Sequence, residues 1–400
     1  MMSEPTLIIW GAGKIGRGPI ADMFHTAGWH LVFVRRSAEC VRKMRDAGRY
    51  TVMRCETGKE PQPVTISGFE AYTTDESEAL AEAVIRAGLI VVPTMAPQIP
   101  EAARQIAAAL LRRRERRPDD LLNILPCANM VNSAAAFRNA LEEATPIEAR
   151  EYFAAKIGVA ESLIRIGATD PPGAPPEDDP AQVYARYPGT YNVDRDAFKG
   201  PQPEVPGLTW VHDPAAEGMR KIWVGNMSHA FMAYRGWLRG HTLIHECATD
   251  PVVIAEGKEA VVEATSALAA DARMTQEQVD EALRFYGGRS ANPDYPDTIQ
   301  RVGSDPRRKL GRDDRFLGPL LLARRFRLPF AALARGAACA LRYDNPTDPA
   351  AVWIQQRIAE QGLCATIYEV CELEPDETDV AKAIIAAYEE LGPAPTGQSD

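Results

Sequence analysis

The sequence lacks the features of membrane, secreted and disulfide-stapled proteins. No apolar run approaches the ~18–20 residues that a membrane span needs, and the N-terminus, MMSEPTLIIWGAG, has neither the basic segment nor the apolar stretch of a signal peptide. The seven cysteines are scattered and never in C-x-x-C spacing, which argues against a disulfide framework or a zinc ribbon. We therefore expect reduced thiols and a cytoplasmic protein.

An excess of positive charge is also missing. The 45 Lys and Arg residues are outnumbered by 55 Asp and Glu, which gives a formal net charge of −10. Phosphate backbones and anionic membranes favour proteins with surplus Lys and Arg, so we expect neither nucleic acid nor a membrane as a partner. A local basic pocket for a small anionic substrate is still compatible with this charge. No sequence feature indicates an oligomeric state.

What the sequence does contain at its start is the pattern of a βαβ unit. Residues 6–10 and 31–34 are short apolar runs, and 20–27 between them is amphipathic. Strand, helix and strand at this spacing predict a parallel sheet. Two more apolar runs and a helical period between them continue the alternation at 88–92, 121–125 and 99–114. The N-terminal part is thus expected to be a doubly wound, Rossmann-like α/β fold.

A glycine-rich turn joins the first strand to the first helix. G-x-G-x-x-G alone is a weak signal, but here it follows a strand and opens a helix near the N-terminus. Gly11 permits the tight turn, Gly13 lets the backbone approach a pyrophosphate, and Gly16 lets helix and strand pack closely. The helix N-terminus adds free N–H donors. We predict a dinucleotide site that includes Gly11, Gly13, Lys14, Ile15 and Gly16; the alternative is a turn without a ligand.

The end of the second strand bears on which dinucleotide binds. NAD sites usually carry Asp or Glu about 20 residues further on, where it holds the ribose hydroxyls. This sequence has Arg35 and Arg36 there. Guanidinium groups bind a 2′-phosphate and can stack on adenine. We predict that both arginines contact the cofactor, NADP or NAD, with a slight preference for NADP; the alternative is that they are solvated charges.

The character of the sequence changes after a proline-rich stretch. DPPGAPPEDDPA, which begins at Asp170, predicts an exposed loop because proline removes backbone donors and resists helix. Low periodicity continues to Pro214, and amphipathic helical segments then dominate at 217–248, 252–271, 275–286, 314–342, 350–372 and 376–391. We predict a Rossmann-like dinucleotide-binding domain over 1–215, with the proline-rich excursion near 170–182, and a mainly α-helical substrate and catalytic domain over 216–400.

The first of these helical segments carries three polar residues in the pattern K-x4-N-x2-H. On a regular α-helix, at 100° per residue, Lys221, Asn226 and His229 share one broad side. Gly225 costs about 1 kcal/mol there relative to alanine, which is tolerable if the backbone must approach a ligand. Isolated polar residues on a helix are usually solvated or packed. Three on one side of an otherwise apolar helix favour a functional site.

Two other polar clusters are candidates for ligand binding. His241 and His245 form an i,i+4 pair, but without H-E-x-x-H or a third ligand we expect no metal site. Arg307, Arg308 and Lys309 form the densest basic cluster, and guanidinium groups suit a sugar phosphate. The alternative for this cluster is a surface loop balanced by the neighbouring aspartates.

Several motifs together resemble the polyol-specific long-chain dehydrogenase family, over most of the chain. They are GAGKIGRG at the turn, PCANM at 126–130, AFKGPQPEVPGL at 197–208, the K-x4-N-x2-H set, and NPDYPDTIQRVGSDPRRKLGRDDRFLGP at 292–319. The resemblance implies an N-terminal Rossmann domain, a helical C-terminal domain and catalysis without metal. It is far more specific than any one motif.

The resemblance also implies residue roles. Lys221 would be the general base, and Asn226 and His229 would bind the reacting oxygen. Asn129 would contact substrate or cofactor. Arg301 and Lys309 match the family's R-x7-K pattern and would bind substrate, and the basic cluster adds Arg308 as a phosphate-binding candidate.

These residues predict an NAD(P)-dependent dehydrogenase that interconverts a polyol, or a polyol phosphate, and the matching ketose. The expected substrate is similar to mannitol 1-phosphate. The small-molecule substrate is then the expected partner. Three positions depart from the family pattern, where acidic residues are usual: Arg35, Ala128 and Ile164. Two alternatives stay open: a sugar-acid or hydroxyacid reductase of the same superfamily, and a non-catalytic nucleotide-sensing protein.

Overall fold

The computed structural model describes residues 4–56, 59–130, 132–169, 182–284, 286 and 297–392. The predicted proline-rich loop at 170–181 lies outside these ranges. The chain divides into two compact units, Met1–Ala215 and Ala216–Asp400. Among the described residues, no helix is both long and apolar enough to cross a membrane.

The first unit is built on a parallel sheet of six strands in the order β5-β2-β1-β6-β7-β8. The strand order reverses beside β1, as in a doubly wound Rossmann sheet, so the predicted fold of this unit is confirmed. The strands of the unit are β1 (Thr6–Trp10), β2 (His30–Arg35), β3 (Arg49–Glu56), β4 (Gln62–Ser67), β5 (Glu70–Thr73), β6 (Leu89–Val92), β7 (Leu122–Pro126), β8 (Ile157–Val159), β9 (Ser162–Ile164), β10 (Gly167–Thr169), β11 (Gln182–Tyr187), β12 (Tyr191–Asp194) and β13 (Leu208–Val211).

Helices cover both faces of this sheet. Ile8 and Val32 pack on one face and Leu7 and Phe33 on the other, because successive side chains of a strand alternate between faces. Burial on both faces explains why β1, β2 and β6 appear in the sequence as unbroken apolar runs. The helices are α1 (Ala21–Thr26), α2 (Ala38–Ala47), α3 (Ser77–Arg86), α4 (Ile99–Arg116), α5 (Ser133–Ala144) and α6 (Arg150–Lys156), with a π-helical turn at Gly16–Ile20 and 3₁₀ turns at Ala96–Gln98 and Ile147–Ala149.

Two smaller sheets join strands of the region of low periodicity, β11, β12 and β13, to strands from earlier in the chain. They have the orders β10-β11-β3-β4 and β13-β12-β9. Their strands have three to eight residues and mixed burial, so they leave little alternation in the sequence. Asp22 of α1, which is fully buried, accepts hydrogen bonds from Arg54 Nε (2.7 Å) and from the Tyr187 hydroxyl (2.7 Å), and so ties α1 to β3 and β11.

The second unit is mainly helical over its described residues, as predicted. Three predicted helices are interrupted, because Gly240 and Gly362 adopt positive φ (+83° each) and Pro329 lacks a backbone donor. The helices are α7 (Pro214–Met219), which begins in the first unit, α8 (Met227–Trp237), α9 (Ile244–Cys247), α10 (Pro251–Ala270), α11 (Gln276–Arg284), α12 (Ile299–Gly303), α13 (Pro306–Lys309), α14 (Leu317–Arg325), α15 (Ala331–Leu341), α16 (Pro349–Gln361), α17 (Leu363–Val370) and α18 (Thr378–Leu391), with a π-helical segment at Arg220–Asn226.

Candidate active site

The glycine-rich turn lies where β1 ends, at the point of the sheet where the strand order reverses. Gly11 has a φ of +101°, which a residue with a side chain rarely adopts. The N–H groups of Gly11 and Ala12 donate to the Val34 carbonyl at 3.0 and 3.1 Å. The turn is therefore anchored to the end of β2, the strand that carries Arg35 and Arg36.

The other two glycines of the turn differ in how much space a side chain would have. A Cβ at Gly16 would lie 2.8 Å from Ile9 Cγ2 and 3.2 Å from Pro93 Cγ, so this position serves the packing of helix against strand. A Cβ at Gly13 would meet only the Gly11 carbonyl, at 4.0 Å. Gly13 and Lys14 are exposed and Ile15 is half-buried. The surface at Gly13 is thus open to a ligand, and the cradle fits the pyrophosphate of a dinucleotide.

Arg35 and Arg36 lie where the sequence pattern places them, at the end of β2. Arg35 is half-buried, and its carbonyl accepts from Thr74 N at 3.0 Å; Arg36 is exposed. Ser37 then caps α2 by accepting from Cys40 N at 3.2 Å. The predicted contact of the two arginines with a 2′-phosphate stays a prediction.

Asn129 lies on the same edge of the sheet as the glycine turn. It follows β7, is exposed, and comes two residues after Cys127, whose N–H donates to the Val92 carbonyl of β6 at 3.0 Å. Carboxyl ends of parallel strands meet at one edge, so Asn129 is on the cofactor side of the sheet. Ala128 and Ile164, two of the departures from the family pattern, are buried (5% and 6% exposed).

Lys221 and Asn226 lie in the π-helical segment, and His229 lies in the first turn of α8. The Met227 N–H donates to the carbonyl of Ile222, five residues earlier, so the angles expected for a regular α-helix do not apply here. Single π-helical turns inside helices are frequent at functional sites. All three side chains are half-buried, and a Cβ at the exposed Gly225 would meet no atom within 4 Å. The segment thus places three half-buried polar side chains beside an exposed glycine that leaves room for a ligand.

An aspartate absent from the sequence-based predictions joins two of the candidate residues. Asp297 is 7% exposed. Its carboxylate accepts from Arg301 Nε at 2.5 Å and from Arg301 Nη2, and its Oδ2 lies 3.7 Å from His229 Nε2. The hydroxyl of Tyr234 donates to the Gly303 carbonyl at 2.8 Å, which ties α8 to α12. His229 and Arg301 therefore belong to one local cluster.

Lys309 and Arg308 are more engaged with protein groups than their predicted roles require. Lys309 is 4% exposed, and its amine donates to the carbonyls of Val302 (2.8 Å) and Ser304. Burial, helped by the positive charges of Arg315 and Arg308, lowers the pKa of Lys309 to about 7. Their roles in substrate binding stay predictions.

Arg308 contacts two carboxylates, as in a balanced surface loop. Its Nε lies 3.0 Å from Asp305 Oδ2 and its Nη1 lies 3.2 Å from Asp314 Oδ2. Its side chain is nevertheless 43% exposed. A phosphate group would therefore compete with these carboxylates for the guanidinium.

The histidine pair does not form an i,i+4 face of one helix. His241 precedes α9, and its Nε2 lies 2.9 Å from Asp250 Oδ2, whereas His245 is within α9. No group of three or more His, Cys, Asp or Glu residues that could hold a metal occurs in the described part of the chain.

A cleft of about 820 Å³ in the first unit contains none of the candidate residues. It lies between α5 and α6 and is lined by Arg138, Phe153, Val159 and Lys199, among others. Its volume would suit a small molecule. Its lining includes the start of the family segment at 197–208, but no residue that the sequence predicts to bind cofactor or substrate or to act in catalysis. Size alone therefore does not mark it as the active site.

Comparison with protein families decides the family. Residues 5–207 match the model described as the mannitol dehydrogenase Rossmann domain, and 218–391 match the mannitol dehydrogenase C-terminal domain. The chain belongs to the mannitol dehydrogenase family. The predicted family resemblance and the predicted nicotinamide-dependent polyol dehydrogenase are thereby confirmed, and the chain is an oxidoreductase acting on CH–OH groups.

Individual relatives support the same placement. The mannitol-1-phosphate 5-dehydrogenase of Paenarthrobacter aurescens is 30% identical over 369 residues, 92% of this chain and 94% of that protein. The enzyme of the same name from Bacillus licheniformis is 30% identical over 371 residues, 92% of this chain and 96% of that protein.

Solved structures show the same fold at lower identity. The Pseudomonas fluorescens mannitol 2-dehydrogenase ternary complex with NAD and D-mannitol has a TM-score of 0.75 at 18% identity, covering 98% of this chain and 92% of that one. A D-sorbitol dehydrogenase in substrate-free form has a TM-score of 0.73 at 14% identity, covering 96% and 93%.

Proposed function

We propose that this member of the mannitol dehydrogenase family interconverts a polyol phosphate of the mannitol 1-phosphate type and the corresponding ketose phosphate. The substrate class is supported by the two relatives named mannitol-1-phosphate 5-dehydrogenase, each aligned over 92% of this chain. The observation on this chain that carries the proposal is the cluster of His229, Asp297 and Arg301, beside the segment that bears Lys221 and Asn226.

In this proposal the first unit binds the dinucleotide and the second acts on the substrate. Gly11, Gly13 and Gly16, together with Lys14 and Ile15, form the phosphate-binding turn. When bound, the nicotinamide supplies the hydride acceptor for oxidation and the hydride donor for reduction. The protein must then remove or supply the proton of the alcohol.

Lys221 is the proposed general base in the direction of polyol oxidation. A lysine amine takes a proton from a hydroxyl only when it is neutral, and the ordinary lysine pKa of ~10.4 must fall for that at neutral pH. Asn226 and His229 donate hydrogen bonds to the oxygen as negative charge develops on it. In the direction of ketose reduction the protonated Lys221 is the acid.

The phosphate is proposed to bind basic side chains of the second unit. Arg301 has a side chain that is 61% exposed even while it contacts Asp297, so part of its guanidinium reaches solvent. Arg308, in the same segment of the sequence, has a side chain that is 43% exposed. Guanidinium groups suit phosphate because they bind it through two parallel hydrogen bonds.

NADP is proposed over NAD because Arg35 and Arg36 stand where NAD enzymes usually place an acid. The test is a binding titration of NADH and NADPH with the wild type and with Arg35→Ser. We expect the change to weaken NADPH binding by about tenfold or more, which is 1.4 kcal/mol of binding free energy. The affinity for NADH should stay nearly unchanged. Arg42→Ser on α2, which removes a guanidinium paired with Asp46, is the matched control. Equal weakening of both cofactors would contradict the NADP assignment.

The substrate proposal is tested with a panel. Mannitol 1-phosphate and mannitol are offered with each oxidised cofactor, and fructose 6-phosphate, fructose and a uronate with each reduced cofactor, while absorbance reports turnover. We expect kcat/KM to be at least tenfold higher for each phosphate ester than for its free sugar. A preference for the free polyol would overturn the phosphate assignment, and turnover of the uronate alone would favour a sugar-acid reductase.

A further inference from the structure

Asp297 places a nearly buried carboxylate between two residues that the proposed function uses. Its side chain is 6% exposed, whereas the side chains of His229 and Arg301 are 34% and 61% exposed. Oδ1 accepts from Arg301 Nε at 2.5 Å, and Oδ2 contacts both Arg301 Nη2 and, at 3.7 Å, His229 Nε2. One carboxylate thus faces an imidazole of α8 and a guanidinium of α12.

The backbone around Asp297 is fixed in place. Its carbonyl accepts from Ile244 N at 2.9 Å, and Ile299 N donates to the Thr242 carbonyl at 3.0 Å. Leu243 and Thr298 form an isolated antiparallel bridge. Thr298 also caps α12, since its hydroxyl accepts from Arg301 N at 3.2 Å. The carboxylate therefore has a defined position at the start of α12.

Stability alone gives a poor account of this carboxylate. Removing a carboxylate from water costs free energy that an ion pair only partly returns. A pair whose cation is more than half exposed returns little, because solvent screens the attraction. A purely structural ion pair also has no need of a histidine beside it.

We propose that Asp297 is a positioning residue for the reaction: it fixes the His229 ring relative to the Arg301 guanidinium and keeps the proton on Nε2 of His229. A carboxylate beside one ring nitrogen favours the tautomer with its proton on that nitrogen. At 3.7 Å the carboxylate attracts the Nε2–H without forming a full hydrogen bond. In the proposed function this Nε2–H is the group that donates to the substrate oxygen. This inference rests on the roles that the proposed function gives to His229 and Arg301.

The first experiment is Asp297→Asn in the full chain, with steady-state kinetics on the best substrate of the panel. The carboxamide keeps the shape of the side chain but removes the charge, so Arg301 loses its double contact and His229 its anionic neighbour. We expect kcat/KM to fall by about ten- to hundredfold, with kcat and KM both affected because the two partners act on the reacting oxygen and on the substrate. Cofactor affinity should stay within twofold.

A matched control is available in the same unit. Glu377 is 4% exposed and accepts from Arg312 Nη1 and Nη2, both at 2.8 Å. Its carboxylate also accepts from Glu374 N at 2.8 Å, and within the described part of the chain its side-chain hydrogen bonds reach neither His229 nor Arg301. Glu377→Gln removes a buried carboxylate from a double arginine contact, and we expect it to lower thermal stability as much as Asp297→Asn while leaving the kinetics unchanged.

A double-mutant cycle separates positioning from a general structural effect. If Asp297 acts through His229, Asp297→Asn should cost less than twofold in kcat once His229→Ala is present, because coupled residues are not additive. The same fold-loss in both backgrounds would overturn the inference, and so would kinetics of Asp297→Asn equal to those of Glu377→Gln. A wild type without turnover on the whole panel would instead contradict the proposed function.

A measurement on the wild type covers the case in which Asp297→Asn does not fold. The chain has six histidines, so ring ¹⁵N signals can be assigned with single His variants. We expect the neutral His229 ring to carry its proton on Nε2. A proton on Nδ1 would overturn the inference without any change at Asp297.

Discussion

The glycine turn of the first unit and the segment Arg220–Asn226 of the second use the chain in opposite ways. In the turn, the proposed function depends on the backbone: Gly11 needs its positive φ, and Gly16 has no room for a methyl group. In the helical segment, function is assigned to side chains, and the glycine within it, Gly225, has open space around the missing Cβ. We therefore expect substitutions in the turn to act through the size of the new side chain, and substitutions in the helical segment to act through the loss of a chemical group.

The sharpest test of the chemical side is Lys221→Ala. Removing a positioned general base typically costs 10²–10⁴-fold in rate, so we expect kcat to fall by about that factor. The dissociation constant of the cofactor should change less than twofold, because the binding turn belongs to the other unit. Lys258→Ala, an exposed lysine of α10, is the control and should keep wild-type kcat. If Lys221→Ala retains most of its activity, another group is the base.

The steric side is tested by a pair of glycine substitutions. Gly16→Ala places a methyl 2.8 Å from Ile9 Cγ2, and we expect it to lower the free energy of unfolding by about 1–3 kcal/mol. Gly13→Ala has space on the protein side, so its stability should change by no more than about 0.5 kcal/mol. It should instead weaken cofactor binding by about tenfold, since the methyl group occupies the open surface.

Chemical denaturation and cofactor titration of both variants give the answer. Should Gly13→Ala bind the cofactor normally, the turn would not approach the pyrophosphate closely. Equal stability of Gly16→Ala and the wild type would mean that the helix can shift away from β1.

A lysine of the second unit offers a test by pH. Burial and neighbouring arginines lower the pKa of Lys309 to about 7, against about 10.4 for a free lysine. Between these values the unfolded chain binds the extra proton, so this group makes stability rise with pH, by at most about 1.4 kcal/mol per pH unit. Below pH 7 both states are protonated and the cost of burying the charge is fully present.

We therefore expect the free energy of unfolding of Lys309→Met, compared with that of the wild type, to be most favourable below pH 7. The difference between the two proteins should shrink as pH rises from about 7 to 10. Urea unfolding at several pH values measures it, with Lys382→Met, an exposed lysine of α18, as the control. A difference that does not change with pH would mean that the Lys309 amine keeps its ordinary proton affinity.

The same contrast explains what the sequence could predict. β1 and α4 begin where their patterns predict, because apolar runs and helical periods are local properties. The strands β9 and β12 pair although they are far apart in the sequence, and each has too few residues to show an alternation of apolar and polar side chains. The π-helical turn changes the angles between Lys221, Asn226 and His229 without any signal in the residue types.

Asp297 was out of reach of the sequence pattern for a related reason. The contact between Asp297 and His229 depends on how α8 and α12 pack against each other, and the spacing of the two residues in the sequence does not indicate it. The helix breaks at Gly362 and near Pro329 are different, because a glycine and a proline at these positions are visible in the sequence and interrupt a helix even where the apolar residues keep a helical period.

The smallest expected effect comes from Gly225→Ala. Alanine is favoured over glycine in helices by about 1 kcal/mol, and the added methyl meets no protein atom within 4 Å, so thermal stability should rise. If the open surface is where substrate or cofactor approaches, the Michaelis constant should rise severalfold at the same time. Gly218→Ala in α7, whose added Cβ also meets nothing within 4 Å, should give the stability gain alone. A more stable Gly225→Ala enzyme with unchanged kinetics would show that this glycine has no contact with a ligand, and the helical segment would then act through its side chains alone.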